Sequence, residues 1–271
     1  MAENRALRRP FPRPGAAMRL VCLPHAGGSQ SLYQGWAQLL PPEIELIVAC
    51  PPGRLDRIDD PWPASMADLA AGFAAELAPW LDRPWAAFGH SMGALVGHEL
   101  VLRVGQMGLP APARLFASAC AAPTLRRDRG QHVMTDDDLC AELAALGGID
   151  PALLELPELR EMVLPVIRGD YELLARYQPR RGDLLSCPVS AFVGLDDAEL
   201  TLDGAARWSE WTTGPSEVVE FAGGHFYLSE QPERVIGELL DRLPVAGAVR
   251  RAFDRSGTEM SGWPPTPQEF L

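Results

Sequence analysis

One serine of this chain stands in a sequence context that suits covalent catalysis. Ser91 is the centre of the sequence GHSMG at residues 89–93. Glycines on both sides allow the backbone to turn sharply, so that the serine hydroxyl can stand clear of its neighbours. A serine hydroxyl is a weak nucleophile at neutral pH and requires a nearby base that is oriented by an acid. The motif therefore predicts acyl transfer through Ser91 if a histidine and a carboxylate lie beside it.

Short apolar runs, often β-branched and bounded by proline, glycine or polar residues, recur along the chain. Such runs are typical of strands that are buried on both faces of a sheet. They cover residues 18–23, 44–49, 85–88, 114–119, 188–193 and 217–221. The third run leads directly into the GHSMG motif, so we expect Ser91 at the end of a strand.

Segments with helical spacing lie between these runs, at residues 66–80, 92–106, 203–211 and 232–243. The alternation predicts an α/β fold with a mostly parallel central sheet and helices on both faces. It is interrupted at about residues 125–181, where helical patterns follow one another, which predicts a helical insertion that could serve as a lid. We expect a single domain over residues 18–243, with extended or loosely ordered termini at 1–17 and 244–271.

The base must be one of five histidines. A strand, a GxSxG turn and a helix together predict the α/β-hydrolase fold, in which the chain order is serine, acid, histidine. His25 and His90 precede the serine and are excluded by this order. His98 lies two turns along the following helix, and His132 stands at the start of the insertion with no strand to position it. His225 follows the last strand through a glycine-containing loop and is the predicted base.

The acid should follow the preceding strand, at residues 188–193. This strand runs into GLDD, which supplies Asp196 and Asp197. Adjacent aspartates also occur in solvated turns and helix caps. The pattern alone leaves the choice between the two carboxylates open.

A tetrahedral intermediate also needs backbone N–H donors for its oxyanion. One donor is expected from Met92, the residue after the nucleophile, and the other from a loop after an early strand. The strand at residues 18–23 runs into the small-residue loop Pro24–Gly28, in which Ala26 is the candidate donor.

With these motifs, the chain resembles the stand-alone type II thioesterases that accompany polyketide synthases and nonribosomal peptide synthetases. The resemblance extends from about residue 20 to 243 and rests on the order and spacing of several motifs. They are LPHAGGS, PPGRLDR, LDRPWAAFGHSMGAL, LGG, RGDYELLARY and GGHFYL. The family places its acid at the end of a G-x-x-D element, which favours Asp197, and its oxyanion donors fall on Ala26 and Met92.

The resemblance implies hydrolysis of acyl thioesters from the phosphopantetheine arm of an acyl or peptidyl carrier protein. Removal of stalled or aberrant acyl groups would be its biological purpose, and no metal or cofactor beyond the arm would be needed. A generic carboxylesterase or lipase and an acyltransferase remain alternatives on the same fold. A non-catalytic module that binds carrier proteins is a more distant one.

The composition bears on partners and location. The formal net charge of −12 disfavours nucleic-acid binding, and no apolar run is long enough to span a bilayer or to serve as a signal peptide. We expect a cytoplasmic monomer. Arginines at both ends of the insertion could guide an acidic carrier protein: Arg126, Arg127, Arg129, Arg176, Arg180 and Arg181.

Overall fold

The computed structural model describes residues 6–125, 129–149 and 151–244 and contains a seven-stranded sheet in the order β1-β3-β2-β4-β5-β6-β7. The strands are β1 (Leu7–Arg8), β2 (Met18–Leu23), β3 (Ile44–Ala49), β4 (Trp85–His90), β5 (Leu115–Ser118), β6 (Val189–Gly194) and β7 (Ser216–Phe221). Strands β2 to β7 pair in parallel, and β1 pairs antiparallel with β3. The predicted α/β class with a mostly parallel sheet is confirmed, and each of the six predicted strands is present with small shifts at its ends.

Nine α-helices accompany the sheet within the described residues. They are α1 (Trp36–Leu39), α2 (Met66–Leu77), α3 (Met92–Gln106), α4 (Asp136–Leu146), α5 (Pro151–Leu154), α6 (Pro157–Arg176), α7 (Leu202–Ala206), α8 (Tyr227–Glu230) and α9 (Pro232–Asp241). In the same part of the chain, no helix combines the length and apolar character that a membrane crossing requires.

The sheet is buried on both faces because its strands carry apolar side chains at alternating positions on each side. One face packs against α2 and α3 through residues such as Phe73 and Leu95. The other face packs against α1 and α9, where Trp36 and Ile236 contact the core. The helices therefore cover both faces, and the carboxyl ends of the parallel strands remain available for a site.

The N-terminal segment, which we expected to be an extended lead-in, is anchored to the sheet by arginines. The buried carboxylate of Glu45 on β3 accepts hydrogen bonds from Arg9 Nε at 2.9 Å, from the Arg13 backbone N–H at 2.9 Å and from Arg19 Nε at 3.0 Å. Burial would raise the pKa of Glu45, but these hydrogen bonds lower it below its usual value. Strand β1 is too short to produce a recognisable apolar pattern.

Helices α4, α5 and α6 lie between β5 and β6, where the sequence predicts a helical insertion. The insertion has a small core of its own, formed by Leu139, Cys140, Leu143, Leu154, Leu164 and Ile167. Leu173 and Leu174, near the end of α6, join the main core beside the sheet. The insertion is therefore packed against the domain along α6.

Candidate active site

Ser91 occupies a strained turn between β4 and α3. Its backbone adopts φ 53° and ψ −119°, a conformation that is uncommon for a residue with a side chain. A Cβ on Gly89 would lie 2.1 Å from the carbonyl oxygen of Gly93, and a Cβ on Gly93 would lie 2.1 Å from that of Leu23. Both glycines are thus required by close backbone contact, which explains the GHSMG pattern.

Asp197 and His225 meet at the carboxyl ends of β6 and β7. His225 Nδ1 lies 2.8 Å from Asp197 Oδ2, and the Asp197 side chain is fully buried. The backbone N–H of Glu199 donates to Asp197 Oδ1 at 2.8 Å, which holds the carboxylate in place. Asp196 is exposed, so the structure brings Asp197 and not Asp196 to the histidine. With Nδ1 bound to the acid, His225 Nε2 is left to face a reacting group.

The other histidines occupy different surroundings. His90 Nδ1 lies 2.8 Å from the Ser118 hydroxyl in the buried core. His98 is buried against the indole rings of Trp208 and Trp211, as expected for a packing residue.

The two residues predicted to donate to the oxyanion lie on different elements. Met92 is the first residue of α3, and the N–H groups of a helix's first turn have no acceptor within the helix. Ala26 lies in the loop after β2 and is partly buried against the main core. The loop with Ala26 and the first turn of α3 are both at the carboxyl edge of the parallel sheet, as are Ser91 and His225.

A cavity of about 560 Å³ opens beside these residues. Ser91, Met92 and His225 contribute to its lining, and Leu146 and Tyr171 of the insertion form part of its wall. An acyl chain bound here would reach the serine and the histidine together. Within the described residues, no group of three or more His, Cys, Asp or Glu side chains could hold a metal ion.

Comparison with known proteins identifies the family. The family model of the thioesterase domain matches residues 18–243. The chain belongs to the thioesterase family. The thioesterase PikA5 of Streptomyces venezuelae is 38% identical to it over 240 residues, which are 88% of this chain and 85% of that protein. The gramicidin S biosynthesis protein GrsT of Aneurinibacillus migulanus is 32% identical over 229 residues, 84% of this chain and 90% of GrsT.

Solved structures place this thioesterase more closely within the family. The type II thioesterase BorB from the borrelidin biosynthetic cluster shares 38% identity and a TM-score of 0.80 over 88% of this chain and 97% of BorB. The type II thioesterase YbtT from the yersiniabactin pathway shares 33% identity and a TM-score of 0.79. The predicted resemblance to type II thioesterases is confirmed, and the thioesterase is a thioester hydrolase with the α/β-hydrolase fold.

The arginines at the two ends of the insertion have different surroundings. Arg129 Nη1 forms an ion pair with Glu199 and lies 3.1 Å from Glu142 Oε1, so its charge is balanced at the cavity wall. Arg176 pairs with Glu172 on its own helix. Arg126 and Arg127 lie outside the described residues. Arg180 and Arg181 are both exposed at the end of the insertion.

Sequence reasoning missed the link between Arg129 and Glu199. It joins the insertion to the loop that carries Asp197, across 70 positions of sequence. A chain with 24 basic and 36 acidic residues offers many possible pairs, and no local spacing singles this one out.

The thioesterase should lose stability as the pH falls below about 6.5, because the buried His90 and the half-buried His25 resist protonation in the folded chain. Burial lowers the pKa of His90 well below its usual value, and burial together with His225 and Arg54 lowers that of His25 to about 3. Below the ordinary histidine pKa the unfolded chain takes up protons that the folded chain does not. Each histidine then lowers the free energy of unfolding by up to about 1.4 kcal/mol per pH unit.

Urea unfolding at pH 7.5, 6.5 and 5.5 measures this slope, and His25→Asn should reduce it. A free energy of unfolding that stays constant between pH 7.5 and 5.5 would contradict the assignment of both rings as neutral.

Proposed function

We propose that this thioesterase hydrolyses acyl thioesters from the phosphopantetheine arm of acyl or peptidyl carrier proteins. Ser91 is the nucleophile, His225 the general base and acid, and Asp197 the carboxylate that orients His225. Ala26 and Met92 donate backbone N–H groups to the oxyanion. The observation that carries the proposal is that the strained Ser91 lines one cavity together with His225, which binds the buried Asp197 carboxylate, in a chain of the thioesterase family.

The acylation half of the reaction begins when His225 Nε2 removes the proton from the Ser91 hydroxyl. The oxygen attacks the thioester carbonyl carbon, and the negative charge collects on the former carbonyl oxygen between the two donors. Collapse of the intermediate breaks the carbon–sulfur bond. The imidazolium gives its proton to the leaving sulfur, so the phosphopantetheine thiol departs neutral and the acyl group stays on Ser91.

Deacylation repeats these steps with water. His225 takes a proton from a water molecule as its oxygen attacks the ester carbon on Ser91, and the same donors bind the oxyanion. The carbon–oxygen bond to Ser91 then breaks, and the proton on His225 returns to the serine oxygen. The free acid leaves, and no metal or added cofactor is consumed.

The proposed substrate follows from chemistry and from the relatives together. BorB is named for the borrelidin biosynthetic cluster, and GrsT for gramicidin S biosynthesis. Polyketide synthases and nonribosomal peptide synthetases hold their intermediates as carrier-bound thioesters. An acyl group that cannot be extended therefore occupies its carrier and stops synthesis. Removal of such groups by hydrolysis is the role that we propose. The exposed Arg180 and Arg181 offer local positive charge to an acidic carrier, although the protein as a whole is acidic.

The substrate proposal predicts a preference that can be measured. We expect kcat/KM for a propionyl-carrier thioester to exceed that for a small free oxyester of propionate by at least about tenfold, which corresponds to 1.4 kcal/mol of transition-state binding. Free propionate should be the product even when alcohols or amines are present. Equal or higher kcat/KM for the oxyester would favour a generic esterase, and an ester or amide product would favour an acyltransferase.

A paired variant separates carrier recognition from chemistry. Arg180→Glu with Arg181→Glu should lower kcat/KM for the carrier thioester at low salt and leave that for a small thioester unchanged. Unchanged kcat/KM for the carrier thioester would show that these arginines do not contact it.

A further inference from the structure

A buried ion pair that the mechanism does not use joins two of the sequence motifs. Arg54 of PPGRLDR and Asp170 of RGDYELLARY lie 116 positions apart in sequence, and their side chains are 5% and 0% exposed. Arg54 Nη1 lies 3.2 Å from Asp170 Oδ1, and Nη2 binds Asp170 Oδ2. Asp170 belongs to α6 of the insertion, whereas Arg54 belongs to the loop after β3.

Both partners of this pair also bind the backbone of the loop that contains Ala26. The Gly27 N–H donates to Asp170 Oδ2 at 2.7 Å, and Arg54 Nε donates to the Gly28 carbonyl at 2.9 Å. The first and the third peptide groups after Ala26 are therefore held by charged side chains. The position of the Ala26 N–H depends on these anchors, because it lies one residue before the first of them.

Packing against α6 reinforces the same loop. Gly27 has φ 79°, and a Cβ at this position would lie 2.5 Å from Ile167 Cγ1. Ile167 and Asp170 are three positions apart on α6, so they lie on one face of the helix. That face closes over Gly27 from the insertion side.

Trp62 completes the enclosure of the pair. The Arg54 guanidinium carbon lies 5.6 Å from the centre of the Trp62 ring. The same ring lies so close to Gly53 and Gly169 that a Cβ on either would come within 2.9 Å of it. Both glycines flank the pair in their motifs, which accounts for the small residues beside Arg54 and Asp170.

A buried ion pair contributes little net stability compared with apolar residues of the same size, so stability is a weak reason for its presence. Oxyanion stabilisation, in contrast, requires backbone donors held at hydrogen-bond distance, about 2.7 to 3.1 Å, from the position where the oxyanion develops. We propose that Asp170 and Arg54 are positioning residues that hold the Ala26 N–H in the oxyanion hole. The hole then forms only when α6 is seated against the loop. This inference rests on the proposed function, in which Ala26 is a donor.

The test compares Asp170→Asn with the double variant Arg54→Met, Asp170→Leu. The single variant removes the negative charge of residue 170 and leaves the buried Arg54 without an ionised partner. The double variant replaces both members of the pair with apolar residues, so its thermal unfolding midpoint should stay near that of the native protein. Glu172→Gln on the same helix is the matched control. Glu172 is exposed, and within the described part of the chain its ion pair is with Arg176.

Hydrolysis of a 4-nitrophenyl ester is the assay, because it uses the same oxyanion hole without a carrier protein. We expect both variants to lower kcat by about 30- to 100-fold per folded molecule, while KM stays within about threefold. Affinity for a trifluoromethyl ketone, which mimics the tetrahedral intermediate, should fall by the same factor as kcat. The control should match the native protein in all three measurements.

The inference is overturned if either variant, corrected for its folded fraction by circular dichroism, keeps kcat and ketone affinity within about threefold of the native values. It is also overturned if kcat falls while ketone affinity does not, because the loss would then arise elsewhere. Failure of the native protein to hydrolyse acyl-carrier thioesters would refute the proposed substrate and would leave this ester-based comparison intact.

Discussion

Ser91→Ala is expected to lower kcat for acyl-thioester hydrolysis by about 10⁵- to 10⁶-fold, since removal of the nucleophile abolishes the covalent route and leaves only binding and the oxyanion donors. The variant should fold normally, because alanine and serine both carry a Cβ and meet the same steric cost at the positive φ of residue 91. Release of free acid from an acyl-carrier thioester measures the loss, and a fluorophosphonate probe should label the native protein but not the variant.

Cys120→Ala is the matched control for this variant. Cys120 is a partly buried thiol that lines the same cavity, and a thiol is a group that can accept an acyl chain. We expect kcat of Cys120→Ala to remain within about threefold of the native value. Abolished hydrolysis in Cys120→Ala, with substantial hydrolysis in Ser91→Ala, would move the nucleophile from the serine to the thiol.

Asp197→Asn is expected to lower kcat by about 10⁴-fold while leaving the fold intact. The native carboxylate accepts from His225 Nδ1, so it fixes the tautomer that leaves Nε2 free to take the serine proton. An amide at this position can instead donate to Nδ1, which places the proton on Nε2 and stops it from acting as a base. Steady-state hydrolysis at pH 7 to 8 measures the effect.

The neighbouring carboxylate provides the comparison for this prediction. Asp196 is exposed and its backbone N–H donates to the Gly223 carbonyl at 2.9 Å, so Asp196→Asn should change kcat by less than about threefold. If Asp196→Asn caused the larger loss, the acid would be misassigned and the observed Asp197–His225 contact would not represent the active arrangement.

The strands that carry the site were predictable because each is a short, mainly apolar run bounded by proline, glycine or polar residues, and β2, β4 and β6 are buried throughout. Ser91 was recognisable because its turn forces glycines at fixed spacing, and His225 because fold and chain order exclude the other histidines. The choice of Asp197 required the resemblance to a family, since adjacent aspartates are equivalent in sequence. The structure separates them by burial, which depends on how the loop after β6 turns toward His225.

Long-range polar pairs were not predictable. The Arg54–Asp170 pair and the Arg129–Glu199 pair connect segments that are 116 and 70 positions apart. Each pair depends on how the insertion packs against the rest of the domain. The residues next to each arginine in sequence do not identify its partner. Strand β1 was not predicted for a different reason, because it has only two residues, Leu7 and Arg8, and two residues form no recognisable apolar pattern.

The central claim is that the acyl group passes through Ser91, and trapping of the acyl-enzyme tests it most directly. The native protein is mixed with a propionyl-carrier thioester, quenched with acid at short times, and mapped by peptide mass spectrometry. We predict a propionyl adduct on Ser91 that forms before free propionate and decays as propionate accumulates. Release of propionate with no adduct on Ser91, or an adduct on another residue such as Cys120, would contradict the account.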